Sequence, residues 1–461
     1  MDIVVKNAKV VTAAEIFDAD IGIENGKIKA YSHDMQPNNA EVIDVGGKIV
    51  LPGAIDAHTH MSFPFMGTTS ADDFWSGTVS AACGGTTSII DFVLPKPSQT
   101  MSSALDEYRR KADPDVAVDY GLHMIFKSHN EPEASSVAQI VNQGVSSFKL
   151  FMTYRKEGLM LDDSGIFKVM KAVGAANGLV AVHAENNGII ENLVQENLSA
   201  SNKGAKYHAL SKPDLAEGEA VSRAAYLARQ AGAKCYIVHL SSDAGRMALE
   251  TAQASGCNIF AETCPHYLIL TADLYERPDG RNFVMSPPLR SKKDCESLWE
   301  GIRRGSIQTI GSDHCPFTSE QKNMGRDDFT KIPNGVPGTE TIVPLMFSEG
   351  FKKGRISIFD MVRVTSFNPA RHFGIYPSKG TLAVGSDADL VVVDPSKRVR
   401  LTADVLHTKI DYSIYDNITT EGYPVLTMSR GEVVMRDGEF LGSKGRGRFL
   451  SRTPARSHAD D

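Results

Sequence analysis

The sequence contains no run of 18 apolar residues, so it offers no helix able to cross a bilayer. It has no excess of basic charge. A net charge of -7 leaves no electrostatic footprint for nucleic acid or an anionic membrane, and a small substrate is expected instead. The six cysteines, Cys83, Cys235, Cys257, Cys264, Cys295 and Cys315, include no C-x-x-C pair. That spacing argues against a disulfide framework and for reduced thiols in a cytoplasmic protein. The first residues, Met1-Asp2-Ile3-Val4-Val5-Lys6-Asn7, lack the basic start and apolar core of a signal peptide and alternate like a strand. No G-x-G-x-x-G follows a first strand, so an open doubly wound sheet lacks its usual phosphate-binding turn.

What is present is enough for a large core: 42% hydrophobic and 23% charged residues over 461 positions exceed one small domain. Residues 1–50 read as short strands, with Asn25-Gly26 between alternating apolar residues as a hairpin turn. Residues 51–378 change to apolar strands at 55–60, 87–92, 120–126, 147–152, 179–183, 235–240, 258–262 and 308–313. Helical stretches such as 104–112, 166–176, 217–231 and 297–304 separate them. Eight βα units argue for a closed (β/α)8 TIM-like barrel whose catalytic groups sit at the carboxyl ends of the strands. Strands return over 379–441 and complete a small β-sandwich with the N-terminal part, since neither end carries enough apolar strand alone. The tail, 442–461, is basic and Gly/Ser-rich before its last aspartates; it reads as disordered or as packing on a neighbouring subunit.

The chemistry begins at Ala54-Ile55-Asp56-Ala57-His58-Thr59-His60, after the apolar run Lys48-Ile49-Val50-Leu51. Alternate strand residues share a face, so His58 and His60 at a strand end present two imidazoles to one point, half of a divalent-cation site. Taken alone, the pair is better explained as one core histidine and one loop cap. Three further strand ends repeat the pattern: His183 after Leu179-Val180-Ala181-Val182, His239 after Tyr236-Ile237-Val238, and Asp313 after Thr309-Ile310-Gly311-Ser312. Four histidines and an aspartate at strand ends of one barrel point jointly to a metal site.

The ordered motifs His58-Thr59-His60, Gly84-Gly85-Thr86-Thr87, Ser147-Phe148-Lys149-Leu150-Phe151-Met152, His183-Ala184-Glu185-Asn186, Glu262-Thr263-Cys264, Ser312-Asp313-His314 and Asp328 through Gly335 resemble the cyclic amidohydrolases of the amidohydrolase superfamily. The likeness is greatest to dihydropyrimidinases and D-hydantoinases and runs over nearly the whole length. It implies two Zn2+ per subunit, with Mn2+ as the other candidate. His58, His60 and Asp313 would hold one ion, His183 and His239 the second, and N-carboxylated Lys149 and a hydroxide would bridge them. An ammonium beside two dications would be repelled, whereas a carbamate is an anionic bridge. A lysine with its stem in the core and its amine snorkelling outward is the alternative.

The resemblance also implies the reaction. The bridging hydroxide attacks a ring carbonyl while the metals polarise it. Asp313 moves the proton to the leaving nitrogen, and Tyr154 donates to the oxyanion. Ser286 and Asn334 resemble residues whose backbones grip the imide edge, although both also suit simple turns. Phe63, Phe65, Phe151 and Leu159 would wall the ring substituent; core packing is the other reading of Phe151. Ser62 stands where dihydroorotases carry a carboxylate-binding arginine, which argues against an acidic ring. The expected substrates are dihydrouracil, dihydrothymine and 5-substituted hydantoins, opened to N-carbamoyl amino acids in pyrimidine degradation by a homotetramer. An allantoinase, or a non-catalytic dihydropyrimidinase-like scaffold that has lost ligands, are the alternatives; none of the six ligands is missing.

Overall fold

The computed structural model describes residues 1–127 and 134–454. Eight strands form one parallel sheet in chain order: Ala54–Thr59, Thr86–Val93, Asp119–Ile125, Ser147–Phe151, Leu179–His183, Lys234–Ile237, Ile259–Thr263 and Thr309–Ile310. The last strand is much shorter than the 308–313 expected, because the chain leaves the ladder there. It then closes the barrel by another route. His314 bridges Thr59 in parallel, the His60 amide donates to the His314 carbonyl at 2.8 Å, and the His314 amide donates to the His58 carbonyl at 3.3 Å.

Strand alternation divides the side chains between two environments. In Ser147–Phe151, Phe148 and Leu150 are fully buried in the main core, beside Ile166, Val169 and Met170 of the helix Asp163–Ala175. Each such burial contributes about 1.5–3 kcal/mol. Lys149 and Phe151 lie on the other side. A smaller cluster that includes Ala57, Ile90, Ala181, Tyr236 and Phe260 packs with Phe373. Ala181 stands two residues before the strand-end His183, and Tyr236 donates to the Glu262 carboxylate that meets His58, so this cluster forms the floor beneath the site.

Both chain ends build one additional nine-stranded sheet. Its joint is the antiparallel pairing of Ile49–Pro52 with Leu390–Arg400, and its core draws Val5, Val10, Ile21 and Ile28 from one end and Leu390, Val392, Leu426 and Met428 from the other. Asn25 and Gly26 take φ of 52° and 73°, and Glu24 pairs Lys27 across the hairpin turn. Ile3–Val11 is one continuous strand. Its register slips between Val5 and Ala8, where the Asn7 amide turns to Asp20 Oδ1 at 2.8 Å.

The tail differs from the disorder expected of its composition. Tyr120 donates to the Arg448 carbonyl and accepts from the Leu450 amide, and the Arg452 side chain is buried, donating to Ser147 Oγ at 2.8 Å and to the Leu122 carbonyl. A guanidinium with defined acceptors holds a Gly/Ser-rich strand that has little apolar surface of its own. Residues 455–461 lie outside the described residues.

Candidate active site

At the carboxyl end of the barrel a cleft holds about 450 Å³ of empty space. It is lined by every residue the sequence singled out: His58, His60, Lys149, His183, His239 and Asp313, with Tyr154, Ser286 and Asn334, and with Phe63, Phe65, Phe151 and Leu159. Cys315 also lines it and carried no signal in the sequence beyond standing two residues after Asp313.

Ligand-bearing atoms of His58, His60 and Asp313 all lie within 4.8 Å of one another. Asp313 Oδ1 is 3.1 Å from Nε2 of both histidines. Asp313 reaches them because its backbone adopts φ of 48°, an uncommon left-handed conformation. His239 is likewise at φ 40°. Its ring centroid lies 4.5 Å from that of His183 and 5.4 Å from that of His58. Lys149 Nζ, buried, sits 5.3 Å from the Phe92 ring centroid and 5.1 Å from that of Phe151.

Carboxylates that the sequence reading left without a role orient these ligands. Glu262 Oε1 meets His58 Nδ1 at 2.7 Å and accepts from the His239 amide at 3.1 Å. Glu185 Oε2 meets His183 Nε2 at 2.7 Å and accepts from Lys212 Nζ at 3.1 Å. Asp56 accepts from the Ser312 amide at 3.0 Å and from its hydroxyl at 2.5 Å, fixing the turn that carries Asp313. Histidine paired in this way offers its other ring nitrogen to a cation. Glu262 and Glu185 stood in quoted motifs, and Asp56 lies two residues before His58, so alternation was the available signal.

Burial is the main cause of the site's electrostatics. It drives His60 down to about 4, lowers His183 and His239, and lowers Lys149 to about 7 against the pull of Asp313 and Glu262. Burial also pushes Asp313 up, but His58, His60 and Lys149 outweigh it and hold the carboxyl well below its usual range. Neutral imidazoles and an ionised carboxylate are the protonation states that divalent-ion ligands need. Nδ1 of His60 and Nδ1 of His239 are buried without a hydrogen-bond partner. Orphaned ring nitrogens in a histidine and carboxylate cluster fit a bound cation.

Beside the histidine and aspartate cluster the cleft splits into a polar and an apolar wall. Tyr154 faces Ser286 and Asn334, and burial raises its phenol above the ordinary value, so the hydroxyl remains a donor. The Asn334 amide donates to Ser286 Oγ at 3.1 Å. Opposite, Phe63, Phe151 and Leu159 cluster with Phe92 and Ile125, with Phe65 and Tyr154 against them. This arrangement can hold a polar, planar edge on one side and an apolar substituent on the other.

Comparison with known proteins agrees with this geometry. The model of the "Amidohydrolase family" matches residues 49–434. A D-hydantoinase of Geobacillus stearothermophilus is 41% identical over 97% of this chain and 96% of its own length. A D-phenylhydantoinase of Escherichia coli is 39% identical over 98% and 99%. The crystal structure of dihydropyrimidinase from Brevibacillus agri superposes with a TM-score of 0.97 at 41% identity, covering 99% of this chain and all of that one. An L-hydantoinase (dihydropyrimidinase) from Arthrobacter aurescens does so at 0.92 and 35%, covering 98% and 100%. With an eight-stranded parallel barrel, a cluster of histidines and an aspartate that could hold a metal at its carboxyl end and relatives matched along nearly their whole length, the chain belongs to the amidohydrolase family, in its hydantoinase and dihydropyrimidinase group.

Proposed function

We propose that this chain is a cyclic amide hydrolase that opens dihydrouracil, dihydrothymine and 5-substituted hydantoins to N-carbamoyl amino acids. The observation that carries the reading is the meeting, in one cleft, of His58, His60, Lys149, His183, His239 and Asp313 with the Tyr154, Ser286 and Asn334 edge. His58, His60 and Asp313 would hold one zinc ion and His183 and His239 a second, and Lys149, carried as a carbamate, would add an anionic ligand. Metal bound there would supply Lewis-acid polarisation of the ring carbonyl and a lowered pKa for a coordinated water.

The chain's own groups do the rest. Ser286 and Asn334 hold the amide edge of the ring through their backbones and set its carbonyl toward the ligand cluster. Tyr154 stays protonated and donates to the oxygen as negative charge develops there. Asp313, held ionised, accepts the proton of the attacking water and returns it to the ring nitrogen as the C–N bond breaks. The Phe63, Phe65, Phe151 and Leu159 wall excludes water and accommodates an apolar substituent, which favours these rings over the polar ureide arm of allantoin.

Turnover of dihydrouracil, hydantoin and allantoin by zinc-loaded protein tests the reading. Opening of the first two is expected. Preferential allantoin turnover makes the chain an allantoinase, and absence of both zinc and turnover makes it a scaffold.

A further inference from the structure

Lys322 closes the short helix Ser319–Lys322 and is completely buried. Its Nζ donates to the carbonyls of Val284, Pro333 and Gly335, each at 2.7 Å. Burial pulls the Lys322 amine down to about 7, but, unlike Lys149, it meets three carbonyl oxygens that are aimed at one point and repel each other, and an ammonium is the lysine form with three hydrogens to satisfy them.

These carbonyls belong to the two loops that form the polar wall of the cleft. Pro333 and Gly335 flank Asn334, and Val284 stands two residues before Ser286. The loops also touch directly, through the Gly335 amide on the Val284 carbonyl at 3.0 Å and the Asn334 amide on Ser286 Oγ at 3.1 Å. Between Val284 and Ser286, the Met285 carbonyl is held by His208 Nε2 at 2.8 Å. From the other side, Gly335 adopts φ of 149°, and a Cβ there would meet the Cys315 carbonyl at 2.3 Å. The Asn334 loop is therefore wedged between Lys322 and the segment that follows Asp313.

We infer that Lys322 is a positioning residue for ring recognition, whose ammonium fixes the separation and tilt of the Ser286 and Asn334 backbones without touching the substrate. This rests on the ring-opening reading above. Removing the ammonium leaves three buried carbonyls without their donor and lets the two loops part, while the metal ligands stay anchored on their own strands. The loss then falls on binding of the ring and spares the chemical step.

The test compares Lys322→Met and Lys322→Arg with wild type, as zinc-loaded full-length chains acting on dihydrouracil and hydantoin. In Lys322→Met, KM should rise at least about tenfold, with kcat within about threefold and zinc content unchanged. Lys322→Arg keeps the charge on a planar fork that cannot converge three hydrogens on the same point, and should fall between. Hydrogen exchange at the Gly335 amide should accelerate in both. An unchanged KM overturns the inference, and so does a fall in kcat and zinc content with KM unmoved. Should the Met variant fail to fold, the Arg variant decides on the same criteria. Should wild type open neither ring, the activity reading falls, and titration of the zinc-loaded chains with dihydrouracil decides Lys322: weaker binding in Lys322→Arg supports it, and equal or absent binding overturns it.

Discussion

Glu262 holds His58 from the seventh strand of the barrel, with Oε1 2.7 Å from Nδ1, and the same oxygen accepts from the amide of His239. One carboxylate thus orients a proposed ligand of each ion. Glu262→Gln should lower metal affinity about 10–100-fold, measured by competition with a chromogenic chelator. Wild-type affinity would remove Glu262 from the ligand-orienting shell.

Lys149 is buried against Phe92 and Phe151, where burial opposes a bare ammonium. Lys149→Ala should lose bound zinc and turnover together, and short carboxylic acids should restore part of both by supplying a bridging anion. Full activity in the unrescued variant would rule out the carbamate.

Asp313→Ala removes both a ligand and the proposed proton carrier. Turnover should drop by about 10²–10⁴-fold or more from the lost proton transfer alone. Steady-state rates at saturating zinc check this, and near wild-type rates would exclude Asp313 from proton transfer.

Tyr154→Phe deletes one hydroxyl from the polar wall. If that hydroxyl meets the developing oxyanion, the barrier should rise by about 2.7–4 kcal/mol with KM little changed. A rise in KM at constant kcat would mean that Tyr154 only helps bind the ring.

Lys379 lies where the barrel meets the smaller sheet, 2.6 Å from Asp119, 2.7 Å from Asp389 and 3.1 Å from Asp387. Lys379→Met leaves those carboxylates facing one another and should cost about 3–5 kcal/mol of stability, read by urea unfolding. Burial lowers the lysine's pKa, but the three aspartates outweigh it and raise the pKa above 10.5. The contribution is therefore complete below about pH 10 and fades as pH climbs past the raised value. Wild type and variant should converge only in strong alkali; a gap that closes as pH is lowered from alkali to neutral would contradict this sign.

The barrel and the proposed histidine and aspartate ligands were legible because each ends an apolar run whose alternation is a local property, whereas Lys149, at the centre of its strand, was marked only by the resemblance. His183 and His239 are announced by the residues just before them. Glu262 was visible as a strand residue, but its role depends on facing His58 across the barrel, a relation no window of sequence contains. Lys322 was illegible for the same reason: its function lies in three main-chain oxygens supplied by two other loops. The tail misled because composition reports apolar content, and Arg452 is held by hydrogen bonds instead. The eighth strand looked longer than it is because the residues after Ile310 continue its apolar and small pattern while pairing with His58 and His60.

The pairing of Ile49–Pro52 with Leu390–Arg400 also orders events during synthesis. One of these segments leaves the ribosome well before its partner. At about 5–20 residues per second, the roughly 340 intervening residues impose a wait of about 17–70 s. Throughout that interval the Ile49–Pro52 edge of the nascent strands waits without its antiparallel partner.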